Sequence, residues 1–434
     1  GRGRSRVAEY ADRGTKTMRI AVYHNLLSGG AKRALAELAR RLAERHEIDV
    51  FSLSCSNHDF ADLRPFVWAY RTFRFDPLPL LASPFGRLNQ AARTADLLRL
   101  NRLSRQIAQE IEQGGYDVVF VHPCQFETSP SILAHVQRVP SVYFCQEPLR
   151  RLHEPAPWRP YDHGASRARQ LMDQVDPLIH LYHATIRRVD RRNARRASRI
   201  LVNSEFMREA VSHIYGLDAH VSYLGVDSDF FRPSPVPKGN FVLSVGSLTP
   251  LKGFDFLIDA VARIPEHQRP PLVIASNFEN PPERDYLQGL AAGGGVELRL
   301  LSQVGDDELV RLYNEAAVVA YAALREPFGL VPLEAMACGT PVVAVREGGV
   351  LETVVHEETG LLVEREAQPF AAALSRLLAD PQLAAEYGRR GRDLVLRRWS
   401  WDEAARRVEA ELQAALPSGI APAARATEGL AAAD

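Results

Sequence analysis

From Met18 onward the apolar positions fall into two spacings that take turns. "RIAVYH" is a short continuous run suited to a buried strand, "AKRALAELARRLAERH" repeats its apolar residues at helical spacing, and "IDVFSL" is a strand again. A strand–helix–strand rhythm predicts a parallel sheet covered by helices. "YDVVFVH", "PSVYFC" and "SRILVNS" add further buried strands. The three prolines and the glycine of "RPSPVPKGN", Arg232 to Asn240, then interrupt the pattern as a linker. Beyond it the rhythm restarts: "NFVLSVG", "PLVIAS", "VELRLLSQV" and "VVAYAAL" read as strands, with "FDFLIDAVARI" and "DDELVRLYNEA" as helices among them. Two doubly wound α/β domains in tandem are expected, over 18–231 and 241–399, joined by 232–240. "SWDEAARRVEAELQAAL", 400–416, predicts a long helix capped by Ser400 or Asp402 and returning toward the first domain. The arginine-rich 1–17 reads as a tag or disordered arm, and the small-residue stretch 417–434 as a disordered tail.

The chain has 434 residues, which suits two cores and therefore a cleft between them. Lysine plus arginine equals aspartate plus glutamate at 53 each. No net field recruits nucleic acid, which is not an expected partner. Lysine chemistry is confined to Lys16, Lys32, Lys238 and Lys252. Cys55, Cys124, Cys145 and Cys338 lie far apart with no CxxC spacing, so neither a zinc site nor a disulfide framework is indicated and a reducing cytoplasm is expected. No stretch approaches the ~20 apolar residues that span a bilayer. Two basic runs, Leu63 to Arg105 with interleaved aromatics and Ile186 to Arg199, have two readings: solvated helix faces, or weak peripheral contact with anionic lipid on the inner face of a membrane.

The chemistry concentrates in "LREPFGLVPLEAMACGTPVVA", Leu324 to Ala344. Pro327 keeps Glu326 in a loop at the carboxyl edge of the sheet, where doubly wound folds bind ligands. Pro332 suits the first position of a short helix, "VPLEAMAC", which Gly339 ends in a left-handed conformation. Glu334 then falls in the first turn, and the start of the helix, Gly329 to Val331, offers free amides to a phosphate. A pair of ionised carboxylates accepts hydrogen bonds from sugar hydroxyls. By itself, Glu334 is equally a favourable helix-start charge.

The string "EPFGLVPLEAMACGTPVVA", glutamate and then glutamate eight positions on, resembles the signature of retaining nucleotide-sugar glycosyltransferases of family 4, which have the GT-B fold of two Rossmann-like domains. The resemblance covers most of Met18 to Leu416. It implies that Glu326 holds the donor sugar and Glu334 the ribose, with Phe328, Gly329, Leu330 and Val331 at the phosphate. "VGSLTPLKGFDFLIDA" is similar to the family's phosphate segment through Gly246, Ser247, Lys252 and Gly253, although Ser247 stands where an arginine is common. Lys252 or another arginine must then supply that charge. Val304 falls where relatives present backbone to the nucleobase. Gly29 and Gly30 of "NLLSGGAKR" and Gly348 and Gly349 of "REGGV" are turn glycines able to line the cleft, together with His122, Gln146 and Glu147. In many relatives a histidine lies under the donor sugar, and Gln146 takes that position here. The triplet Asp306 to Glu308 reads as first-turn helix charge, and no metal or tightly held cofactor is assigned.

Catalysis is accordingly expected of Glu326 and Lys252, with a nucleoside diphosphate sugar as co-substrate and a glycan, lipid-linked or small-molecule acceptor. Two other classes fit the fold: a sugar-nucleotide epimerase or hydrolase, and a non-catalytic donor binder. A pyridoxal-phosphate phosphorylase does not fit, because no lysine follows Lys252 to form the Schiff base.

Overall fold

The computed structural model describes residues 17–81, 88–149, 152–154, 157–161, 176–278 and 280–417. The expected arm and tail thus lie almost wholly outside the described residues. In the first half, strand β1 (Arg19–Asn25) leads into helix α1 (Gly30–Leu42) and strand β2 (Glu47–Leu53). Strand β3 (Ala69–Phe73) and helix α2 (Asn89–Gln113) follow. Strand β4 (Val118–Cys124), β5 (Ser141–Phe144), helix α3 (Pro177–Ala194), β6 (Arg199–Val202), helix α4 (Glu205–Tyr215) and β7 (His220–Val221) complete it. All seven strands are parallel, in the order β3-β2-β1-β4-β5-β6-β7.

The second half repeats the plan. Its elements are β8 (Val242–Val245), α5 (Phe254–Ala262), β9 (Leu272–Ser276), α6 (Pro281–Gly294), β10 (Leu298–Ser302) and α7 (Asp306–Glu315). Then come β11 (Val318–Tyr321), α8 (Leu330–Ala337), β12 (Val342–Val345), the short α9 (Val350–Thr353) and β13 (Gly360–Val363). Helices α10 (Ala367–Ala379), α11 (Pro381–Arg398) and α12 (Trp401–Ala414) close the chain. The six strands are again parallel, in the order β10-β9-β8-β11-β12-β13. Each sheet reverses its strand order beside its first strand, and such a switch opens a crevice at the carboxyl ends of the two strands that flank it.

Strand residues alternate between two apolar layers. In β1, Ile20 and Val22 face the layer that includes α1, whereas Ala21 and Tyr23 face the opposite one. The chain crosses to the second lobe near Val226, whose N–H donates to Trp399 O at 2.8 Å, so the outgoing and returning strands meet. Helix α12 lies against α1. His46 and Glu409 approach to 3.0 Å, Arg41 donates to Asp402 at 2.5 Å and Arg199 to Glu411 at 2.8 Å. Ser400 caps α12 through Glu403 N–H, and Asp402 is a first-turn charge.

Several elements were not read from the sequence, β3, α2, β7, β13, α6, α10 and α11 among them. Strand β3 and helix α2 lie in the basic, aromatic stretch Leu63 to Arg105. Most of its arginines are neutralised locally: Arg64 by Asp59 and Asp62, Arg71 by Glu110, Arg74 by Asp76, and both Arg93 and Arg99 by the buried Asp96. The run is less of an open cationic field than its composition suggests. Among the described residues no helix is long and apolar enough to cross a membrane.

Candidate active site

Because β8 pairs with β11, Val242 opposite Val318 and Leu243 opposite Val319, the loops that follow these strands emerge side by side. One carries Lys252 and the other Glu326. They meet as an ion pair in which Lys252 Nζ donates to Glu326 Oε2 at 2.8 Å, both side chains remaining partly exposed. Gly253 makes the approach possible: it is left-handed at φ 66°, and a Cβ there would collide with Ala322 O. Gly246 lies alongside, with the Lys252 side chain over it. Ser247 stays in the same turn, half-buried, its carbonyl accepting from Thr249 N–H at 2.7 Å.

Behind Glu326 lies the loop of Gly348 and Gly349. Gly349 N–H donates to Glu326 O at 2.8 Å, and a Cβ on the left-handed Gly348 would sit 2.5 Å from that oxygen. These glycines thus press on the main chain of the Glu326 loop.

Helix α8 begins at Leu330, after a left-handed Gly329 at φ 103°. Pro332 is therefore its third residue and Glu334 its fifth, in the second turn; the expected first-turn placement is corrected by two residues. Gly339 does end the helix in the left-handed region, at φ 72°. Glu334 is buried and accepts from the Tyr313 hydroxyl at 2.7 Å. Burial pushes its carboxyl above the ordinary range, against the pull of Arg33 and Tyr313. What opposes burial is first a cation from the other lobe, and then the Tyr313 hydroxyl.

That cation was missed in the sequence. Arg33, in the first turn of α1, reaches across the cleft to Asp306 at 2.9 Å and lies close enough to act on Glu334. Gly29 and Gly30 put α1 directly opposite α8: a Cβ on Gly30 would touch Leu330 at 3.4 Å. Two helix starts thus face each other across the gap. Gln146 lies beneath the first turn of α1, donating from Nε2 to Ala31 O at 3.3 Å, and Glu147 follows half-buried.

His122 is fully buried against Phe120 and Phe144, and neither ring nitrogen finds a partner. Burial, helped by the charge of Lys32, pushes its pKa down to about 3. Phe328 turns its ring inward onto Tyr223 and Trp399, leaving only main chain for a ligand. Val304 is buried, and its carbonyl accepts from Asn277 at 3.2 Å. Leu330 and Val331 remain partly exposed. Asp306, Asp307 and Glu308 form the first turn of α7. Among the described residues no trio of histidine, cysteine or acidic side chains is grouped to hold a metal ion.

The lobes touch elsewhere too. Ser204 Oγ donates to Pro327 O at 2.5 Å, and the Glu352 carboxylate accepts from the Glu205 and Phe206 N–H groups at the start of α4. A third contact was also illegible in the sequence. Arg159 of the first lobe, 3% exposed, donates to Glu283 at 3.0 Å and to Asp255 at 3.0 and 3.1 Å, and lies over the Tyr286 ring.

Two Rossmann-like lobes that turn their strand ends toward a shared cleft define the GT-B architecture. Solved structures agree: sucrose-phosphate synthase from Thermosynechococcus elongatus superposes with a TM-score of 0.69 at 23% identity, covering 92% of this chain and 98% of that one. Anabaena HepE, solved with UDP and glucose, gives 0.67 at 22% identity, covering 91% of this chain and 99% of its own. The family follows from sequence models. Residues 28–230 match Glycosyltransferase Family 4 and residues 226–394 match Glycosyl transferases group 1, so that the two matches tile both lobes, and the chain belongs to these glycosyltransferases. Curated relatives include an uncharacterized glycosyltransferase of Methanocaldococcus jannaschii, 38% identical over 168 residues, which make up 38% of this chain and 42% of the relative. A D-inositol 3-phosphate glycosyltransferase of Saccharomonospora viridis is 35% identical over 233 residues, 47% of this chain and 53% of the relative. The chain thus spans about half the length of the curated relatives it matches.

Proposed function

We propose that the protein moves a hexose-type sugar, with retention at the anomeric carbon, from a nucleoside diphosphate sugar to a glycan, lipid-linked or small-molecule acceptor. The observation that carries this reading is the Lys252–Glu326 pair, a cation and a hydrogen-bond acceptor 2.8 Å apart at the strand switch of the second sheet. Cleaving the bond between the anomeric carbon and the phosphate oxygen leaves negative charge on the departing diphosphate. Lys252 and the free amides at the start of α8 stabilise that charge from positions fixed before reaction. Glu326 accepts hydroxyls of the sugar ring, and Glu334, held by Tyr313, accepts a ribose hydroxyl. Arg33 supplies from the other lobe the positive charge that Ser247 does not. The acceptor hydroxyl attacks on the face the diphosphate leaves, and the departing phosphate oxygen takes its proton. The relative named for inositol 3-phosphate supports a polyol among the acceptors.

Thermal-shift screening against UDP-, GDP- and ADP-sugars selects the donor, since a bound ligand stabilises the fold by mass action. With that donor, Lys252→Ala and Glu326→Ala are each expected to lower turnover at least ~100-fold. Near-normal rates would remove both residues from the mechanism. Donor breakdown at the same rate without any acceptor would move the protein to the hydrolases or epimerases.

A further inference from the structure

We propose that the first lobe holds an anion site beneath the first turn of α1, centred on Lys32, and that it receives a charged oxygen of the acceptor, phosphate or carboxylate. The acceptor's identity as such rests on the transferase reading above; the anion site does not.

Lys32 is the third residue of α1 and fully buried. The period of two along β1 and β4 puts His24 and His122 on the face that carries Val22 and Phe120, the face covered by α1. Lys32 reaches down to this face, with Nζ 3.2 Å from His24 Nε2. That imidazole nitrogen is its hydrogen-bond partner, and among the described residues no carboxylate comes within ion-pair distance of it. The acid whose field it feels is the more remote Asp62, set against the repulsion of Arg64, and burial draws the ammonium pKa down to about 8. Around it stand groups that offer no negative charge. The Tyr70 hydroxyl lies 3.3 Å from His24 Nε2, and His58 Nδ1 lies 2.9 Å from that hydroxyl. His122, close enough to feel the charge of Lys32, keeps both ring nitrogens unpartnered.

A buried cation without a counter-ion is costly, and so is a buried imidazole without a hydrogen bond. Both costs occur together at the carboxyl edge of the first sheet, next to Gly29 and Gly30 and across the cleft from α8. One anionic oxygen would relieve both, because the ammonium has donors to spare and a neutral imidazole always has one N–H to give. The half-buried Tyr70 and His58 connect the cluster to the surface.

The test uses the full chain, with inorganic phosphate as the first probe. To remove the response of the second-lobe phosphate site, phosphate is titrated into Lys252→Met, and the melting temperature is expected to rise by about 2 °C or more at saturation. Adding Lys32→Met should abolish that rise, while in phosphate-free buffer it should leave the melting temperature unchanged or higher. Lys32→Gln provides the same comparison if the methionine variant does not fold. A second arm compares neutral polyol acceptors with their monophosphates and carboxylates at saturating donor. Lys32→Met in the otherwise native chain should raise KM for the charged members at least about tenfold, leaving kcat and the neutral members unchanged. A phosphate response that survives the loss of Lys32, a lower melting temperature in phosphate-free buffer for both variants, or equal KM changes for neutral and charged acceptors would overturn the proposal. A Lys32-dependent phosphate response in a protein that transfers no sugar would sink the transferase reading and leave the anion site standing.

Discussion

Replacing Arg159 by methionine tests whether the first lobe is clamped to the second where the structure shows it. The guanidinium is 3% exposed and Glu283 0%, whereas Asp255 is 30% exposed. Glu283 accepts from both Nε and Nη2 of Arg159, and the Tyr161 hydroxyl donates to it as well. Without the arginine, a fully buried carboxylate keeps one neutral donor and no counter-charge. Breaking a buried pair from one side costs about 3–5 kcal/mol, because the orphaned charge remains desolvated. The Asp255 arm is partly solvated and adds at most about 1 kcal/mol. Methionine retains part of the packing on Tyr286, so the lower end is expected, a loss of about 3 kcal/mol. Glu283→Gln should be milder, since a neutral amide can still accept from Arg159. The double variant, with both charges gone, should recover at least about 1.5 kcal/mol of the sum of the single losses, the signature of direct coupling.

The assay is equilibrium urea unfolding of the four proteins, followed by donor KM. Asp255 lies just past Lys252 and Gly253 at the start of α5, so loosening the clamp should raise donor KM more than it lowers kcat. Arg159→Met within about 0.5 kcal/mol of the native protein, or strictly additive losses in the cycle, would refute the reasoning: the segment would then not be docked as the structure has it.

Two further outcomes follow from close contacts and from titration. Gly348→Ala forces a Cβ against Glu326 O at a φ of 66°, and should cost about 1–3 kcal/mol and reduce turnover; unchanged turnover would show that the Glu326 loop does not depend on its support. His122 titrates at about 3 in the folded chain against an ordinary 6.5, so below pH 6.5 the unfolded chain takes a proton that the folded one does not, and stability falls as pH falls. His122→Phe should therefore reduce the loss of unfolding free energy between pH 6 and 4 by about 1.4 kcal/mol per pH unit, and parallel pH profiles for the two proteins would count against a buried neutral imidazole.

The sequence revealed most where chemistry and chain order coincide. Parallel strands buried on both faces are written as apolar runs, so β1, β4, β8 and β11 could be located, and Lys252 and Glu326 stand in loops next to two of them. Strand β3 did not show itself, because an edge strand with three half-buried and two exposed positions lacks both the apolar run and a clear alternation. Glu334 was placed two positions too near the helix start because Pro332 was assigned the first helical position, whereas the left-handed Gly329 starts the helix two residues sooner. Arg33, Arg159 and Lys32 were illegible for a deeper reason. Each owes its character to residues at least tens of positions away, or to an absence of partners, and neither can be read from spacing in a chain with so many arginines.

The ion pairs also divide by strength in a way that fits a transferase cleft. Lys252 and Glu326 are both partly exposed, and such a pair is worth about 0–1 kcal/mol, so the diphosphate and sugar of the proposed reading would draw its members apart with little loss. Arg159 and Glu283 are buried, and separating them leaves a charge that water cannot reach. The strong pair fixes one lobe against the helix that follows Lys252 and Gly253. On the proposed reading, the weak pair stands at the bond itself. Had the burial been reversed, a ligand would first have to break the strongest contact in the cleft, and most of its binding energy would be lost before any of it could favour the transition state.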